Sequence, residues 1–227
     1  MTLIKLAVLI LATLIVLAEP ETPFDYFAVQ RDVFAGFAGN VDALERAMTA
    51  CEKALAENPK HPHALVWHGI GLIVRAGRSP QQAPAFLQQA LAEMDEAVRV
   101  GDPGDLGVRI PRGSVTMAIA RSMPESPART DMLERGRTDF QTAFDQQSKA
   151  GQLDAIGTHP LGELLQGLGD VYSRLGKPDE ARKYYRMLQA KLPDTEYARR
   201  AAQWIATSQP LPPAQTACIG CHTAPKQ

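Results

Sequence analysis

The sequence predicts an all-α fold of stacked antiparallel helix hairpins, about three degenerate units followed by a C-terminal tail. Three observations carry this expectation. Apolar residues recur at i, i+3, i+4 and i+7 along most of the chain, and no run alternates with the period of two that marks a strand. Proline and glycine punctuate these stripes at intervals suited to helix-turn-helix units, as at Asn58-Pro59 and Gly176-Lys177-Pro178. His61-Pro62 opens a helix carrying Trp67, Gly69 and Gly71; almost three units later, His159-Pro160 opens one carrying Leu165, Gly167 and Gly169.

At the N-terminus, Lys5 precedes an apolar run from Leu6 to Leu17, and Val16-Leu17-Ala18 stands just before Glu19-Pro20. This pattern reads as a secretory signal peptide over 1–18. The run is about a dozen residues, short of the roughly 20 that cross a bilayer, so a retained anchor is the weaker reading. The expected helical domain is 19–207, working in the periplasm. Its first helix, 25–38, reads as a cap in which Phe24, Phe27, Phe34 and Phe37 close the open end of the stack.

Helix 42–57 carries the stripe Leu44, Ala47, Met48, Cys51, Ala54 and Leu55, which assigns Cys51 to packing. The next unit runs from His61-Pro62 to Pro103, with extra residues around Ser79-Pro80. A third unit would pair Ser114–Ser122 with Ala128–Lys149. The segment Gly104–Gly113, with Gly107 and Pro111, departs most from a helical pattern. After Pro193, Tyr197, Ala201, Trp204 and Ile205 define a closing helix.

The segment from Leu165 to Pro193 is the most regular. Leu165, Leu168, Gly169, Tyr172, Gly176, Ala181, Tyr185, Leu188 and Pro193 stand at the spacing of a tetratricopeptide repeat, which the segment resembles over one unit. Gly169 and Ala181 are small where two helices approach, and Gly176 ends the first of them. The resemblance implies a solenoid that binds proteins.

Near the end of the sequence stands Cys218-Ile219-Gly220-Cys221-His222. In an exported protein C-x-x-C-H reads as a covalent haem attachment site, with Cys218 and Cys221 forming thioethers and His222 the proximal iron ligand. A redox dithiol would belong near a βαβ pattern, and a closed zinc site would need a fourth ligand. Disulfide and zinc stay as the alternatives to one covalent haem c. The resemblance to c-type cytochromes also implies the periplasm. The chain departs from those that carry the motif near the C-terminus on a last helix, because the proline-rich stretch 208–217 precedes the cysteines. That stretch reads as a semi-rigid linker and 218–227 as the haem attachment tail.

The second axial ligand is open to several groups. His61, His63 and His68 lie on one unit and His159 on another, while Met117, Met123, Met132 and Met187 read as core or turn. His159 is the tentative distal ligand because its unit is nearest the tail; His61 and His159, each before a proline, also read as helix-start residues. Bis-histidine ligation would lower the reduction potential relative to methionine.

A net charge of −1 argues against nucleic acid as a partner. The stretch Arg174–Thr207 is basic on balance, which suits either a solvated helical face or an acidic redox partner. The sequence shows no nucleophile-base pair and no phosphate loop, so no enzyme is expected. The primary expectation is a periplasmic monohaem cytochrome transferring electrons to a redox protein or a membrane respiratory or photosynthetic complex. The alternative is a periplasmic scaffold or assembly factor binding a protein partner. A homodimer sharing two tails is compatible with either.

Overall fold

Residues 23–211 are described by a computed structural model, and among them are nine helices and no strand. They are α1 (Tyr26–Phe37), α2 (Val41–Glu57), α3 (Pro62–Arg78), α4 (Ala83–Val100), α5 (Leu106–Ser122), α6 (Pro127–Lys149), α7 (Thr158–Arg174), α8 (Pro178–Lys191) and α9 (Glu196–Thr207). The signal segment and the C-x-x-C-H motif lie outside the described residues.

Local chemistry sets most helix starts. Asp25, Asn40, Asp105, Ser126 and Thr195 each accept a backbone N–H from the first turn of the helix they precede. His61 does the same through Nδ1, which accepts from the Ala64 N–H at 3.2 Å. Pro62, Pro127 and Pro178 stand in first turns, where a missing N–H costs nothing. Gly176, at φ +69°, supplies the left-handed residue that ends α7 and returns the chain into α8.

Consecutive helices pair as α1 with α2, α3 with α4, α5 with α6 and α7 with α8, and α9 packs on α8. The odd-numbered helices also touch one another in sequence, α1 on α3, α3 on α5, α5 on α7 and α7 on α9. They therefore form an inner layer. This is the stacked-hairpin solenoid of a tetratricopeptide-like fold.

The 25–38 helix is not a mere cap. It closes a hairpin of its own with α2 and continues the inner layer, because Val29 and Val33 bury against Ala47, Cys51, Leu65 and Val66. The doubtful stretch 104–113 also proves helical from Leu106. Pro111 removes one hydrogen bond inside α5, but Arg109 and Arg112 on either side of it both grip the fully buried Asp139 of α6, at 3.1 and 2.5 Å. Arg112 also pairs with Asp95 of α4, and Arg109 Nε donates to the Pro103 carbonyl at 2.6 Å. Tertiary ion pairs thus hold a helix that local propensity would break.

Packing falls into two main regions. One collects α1 to α4 with Val108 and Val115 of α5; the other collects Ile110, Met117 and Ala120 of α5 with α6 to α9. Cys51 lies wholly in the first, and burial, reinforced by Glu93 and Glu52, pushes its thiol up to about 12. In the second, Gly169 leaves room for the Tyr185 ring, which stacks on Trp204 at 4.8 Å. Leu211, the last described residue, is 2% exposed in this core, and its carbonyl accepts from Arg174 Nη2 at 3.0 Å.

A candidate docking groove on the inner layer

The odd-numbered helices enclose an apolar groove of about 260 Å³. Tyr26, Phe27, Phe34 and Phe37 of α1 form one wall, with Trp67 and Ile70 of α3 beside them. Ile110, Pro111, Ser114 and Val115 of α5 continue it, and His159, Pro160 and Glu163 at the start of α7 close the far side. Phe34 and Tyr26 meet Trp67 edge-on at 5.8 and 5.9 Å, so the aromatic wall is rigidly packed. Phe27, by contrast, is 75% exposed at the mouth. Trp67 is almost fully buried, and its Nε1–H has no hydrogen-bond partner. Leaving such a donor unmade costs about 1–3 kcal/mol.

The polar side of the groove is a relay of three residues. Tyr197 of α9 donates its hydroxyl hydrogen to Glu163 Oε1 at 2.7 Å. Its oxygen stands 2.9 Å from His159 Nδ1. The relay orients the His159 ring, with Nδ1 turned to the Tyr197 hydroxyl. Glu163 is 6% exposed, between Gly162 and Leu164 on the buried face of α7.

Among the described histidines singled out by sequence, His159 alone lines the groove. It does not cap α7; the N-cap position is Gly157, with no side-chain cap. His61 is a cap, as expected. His63 Nε2 bonds Asp105 at 2.9 Å, and buried His68 bonds Glu93 at 2.6 Å. Burial raises the Asp105 carboxyl, but the His63 bond and the backbone N–H groups of Gly107 and Val108 outweigh it and hold it below its ordinary value. Met117 is core. Cys218, Cys221 and His222 lie outside the described residues.

The aromatic stripe of α1 was expected to close the stack as core. Phe34 and Phe37 do pack on it, yet Phe27, Phe34 and Phe37 also face the groove. The basic residues of 174–207 are largely paired in place. Arg174 binds Asp170, Lys191 binds Asp154, Arg199 and Arg200 bind Glu196, and Arg182 sits 5.6 Å over Trp204. Glu163, Tyr197 and Trp67 were not foreseen as a site. The signal for Glu163 was a carboxylate inside an apolar stripe four residues after a histidine, on one helix face.

Among the described residues no group of three or more His, Cys, Asp or Glu is arranged to hold a metal ion, and no helix is long and apolar enough to cross a membrane. No family model matches the sequence, and no curated protein matches it. Among solved structures, the crystal structure of a thermophilic TPR protein from Thermus thermophilus is similar, at 18% identity and a TM-score of 0.43, covering 79% of this chain and all of that one. The stacked hairpins and the groove along their inner layer make an all-helical, tetratricopeptide-like fold.

Proposed function

We propose that this protein is an exported binding scaffold whose inner groove grips an apolar segment of a redox partner. The observation that supports the reading is Phe27, three-quarters exposed at the mouth of a groove walled by Phe34, Trp67 and Ile110. Exposed aromatic surface around a concave site marks docking rather than packing. A photo-reactive residue at position 27 should trap one discrete partner in cells, while the same residue at Glu125, whose side chain is 95% exposed away from the groove, should not. Equal adduct patterns from the two positions would overturn the reading.

The C-x-x-C-H motif favours a second reading, a monohaem electron carrier. Cys218 and Cys221 would hold the group by thioethers and His222 would be its proximal ligand, with His159 the tentative distal one. When bound, the haem supplies one-electron chemistry at the iron. The groove's apolar aromatic wall, with His159 at its α7 edge, is the structural support for that reading. Neither reading needs an enzymatic step. Intact mass of protein made in a cytochrome-maturing host should exceed the processed polypeptide by one haem, and Cys218→Ser/Cys221→Ser should lose it. A wild-type mass without the addition ends this reading.

A further inference from the structure

We infer that the junction between α4 and α5 is a hinge that sets the width of the groove, and that the Asp95 carboxylate on the outer layer is its latch. Its use in gripping a partner rests on the docking reading above.

Packing between successive hairpins is weakest at this junction. α2 packs closely on α3, α6 on α7 and α8 on α9, whereas α4 touches α5 far less. The hairpins on either side are therefore joined mainly through α5 itself. Pro111 leaves that helix one backbone hydrogen bond short in its middle, and proline is where helices bend. Around α5, at about 100° per residue, Gly107, Ile110 and Pro111 face the groove, Val108 and Val115 come next and pack with the α1–α4 core, and Arg112 follows. The apolar contact thus lies between the groove and Arg112, in the position of a fulcrum.

On the far side of that fulcrum stands Asp95 of α4. Arg112 Nη2 donates to it, and Arg135 Nη1 of α6 donates to both its oxygens, at 2.9 and 3.0 Å. Arg112 is held through Nη1 by the buried Asp139, so its grip on Asp95 is anchored in α6. The side chains of Arg135 and Asp95 are 41% and 43% exposed. Ion pairs this open to water are individually weak and are screened by salt, which suits a latch that has to release. The bond from His63 to Asp105 ties α3 to the start of α5 independently of it. With Asp95 engaged, the outer layer is held together and the groove is wide. With Asp95 released, α4 tilts away from α6, and Phe34 and Trp67 swing about Val108 and Val115 toward Ile110 and Pro160.

The test reads two spin-label distances in the full-length protein, with the labels carried on ketone amino acids so that no cysteine is used. One pair, at the exposed Arg31 and Thr158, spans the groove; the other, at the exposed Gln88 and Asp131, spans α4 and α6 on the outer layer. Asp95→Asn and Arg135→Gln, both at half-exposed positions, should each shorten the groove distance and lengthen the outer one. The narrowed population should rise about threefold, the weight of a half-exposed ion pair. Concentrated salt should move the wild type the same way and leave Asp95→Asn where it is. Distances unmoved by both variants and by salt overturn the latch. Distances that lengthen together overturn the fulcrum and with it the hinge. A photo-reactive residue at position 27 that traps no discrete partner overturns the docking reading instead and leaves these distances as they are.

Discussion

Tyr197 lays its ring where a side chain at residue 162 would stand: a Cβ on Gly162 would collide with the ring carbons. That vacancy lets α9 close over α7 and brings the phenol between His159 and Glu163.

Gly162→Ala should therefore cost about 1–3 kcal/mol, the range for overpacking a tight contact. Tyr197→Phe keeps the ring and loses one net hydrogen bond, about 1 kcal/mol. Urea denaturation should rank alanine at 162 as the more damaging change. If the two rank the other way, the ring's position is not what Gly162 provides.

The buried ion network of α5 and α6 makes a sharper prediction. Asp139→Ala would leave Arg109 and Arg112 without their shared carboxylate and should destabilise the protein by about 3–5 kcal/mol. Because these pairs flank Pro111, hydrogen exchange should show the loss first in α5. A uniform loss across all helices would argue against a local clamp.

The exclusion of the Cys51 thiol from water predicts its reactivity. In the folded protein Cys51 should not react with a thiol reagent, and it should become reactive only on denaturation. Reaction of Cys51 in the folded state would contradict the packing of α2.

His61 gives a pH dependence of definite sign. Burial, with a smaller contribution from His63, lowers its pKa from the ordinary 6.5, so the unfolded chain takes up the proton more readily than the fold. Protonation also removes the Nδ1 lone pair that caps α3. The His61 contribution is fully present above about pH 6.5 and is lost as pH falls below it, up to the roughly 1 kcal/mol of a helix cap. Melting temperatures of wild type at pH 7.5 and 5.5 should differ more than those of His61→Asn, whose cap does not titrate. Equal differences would remove His61 from the pH response.

The α7–α8 hairpin was legible in the sequence because its turn is made by residues with little choice: Gly176 must take positive φ, and Gly169 must admit Tyr185. Periodicity likewise gave α2 and α9. The start of α5 was hidden because Gly107 and Pro111 read as breakers, and the ion pairs that overrule them come from α4 and α6, far along the chain. The groove was hidden for a different reason. A helical stripe shows which residues share a face, but not whether that face meets another helix or the hollow of a stack. Phe27 and Phe34 have the same periodicity, yet one is exposed at a mouth and the other packed on Trp67. His159 was visible; its orientation depends on Tyr197, which only the fold brings near.

The division of the interior into two packed regions meets at α5, whose Val108 and Val115 belong to one and Ile110 and Met117 to the other. In a linear stack each region can open as its own cooperative unit, so α5 is a seam between two foldons. The groove straddles that seam, with Phe34 and Trp67 on one side and His159 and Glu163 on the other. Anything lodged there is a staple across it. By linkage, an occupant at 100 times its Kd would add about 2.7 kcal/mol against separation of the halves. Filling or emptying the groove thus changes how the solenoid breathes as well as what it holds.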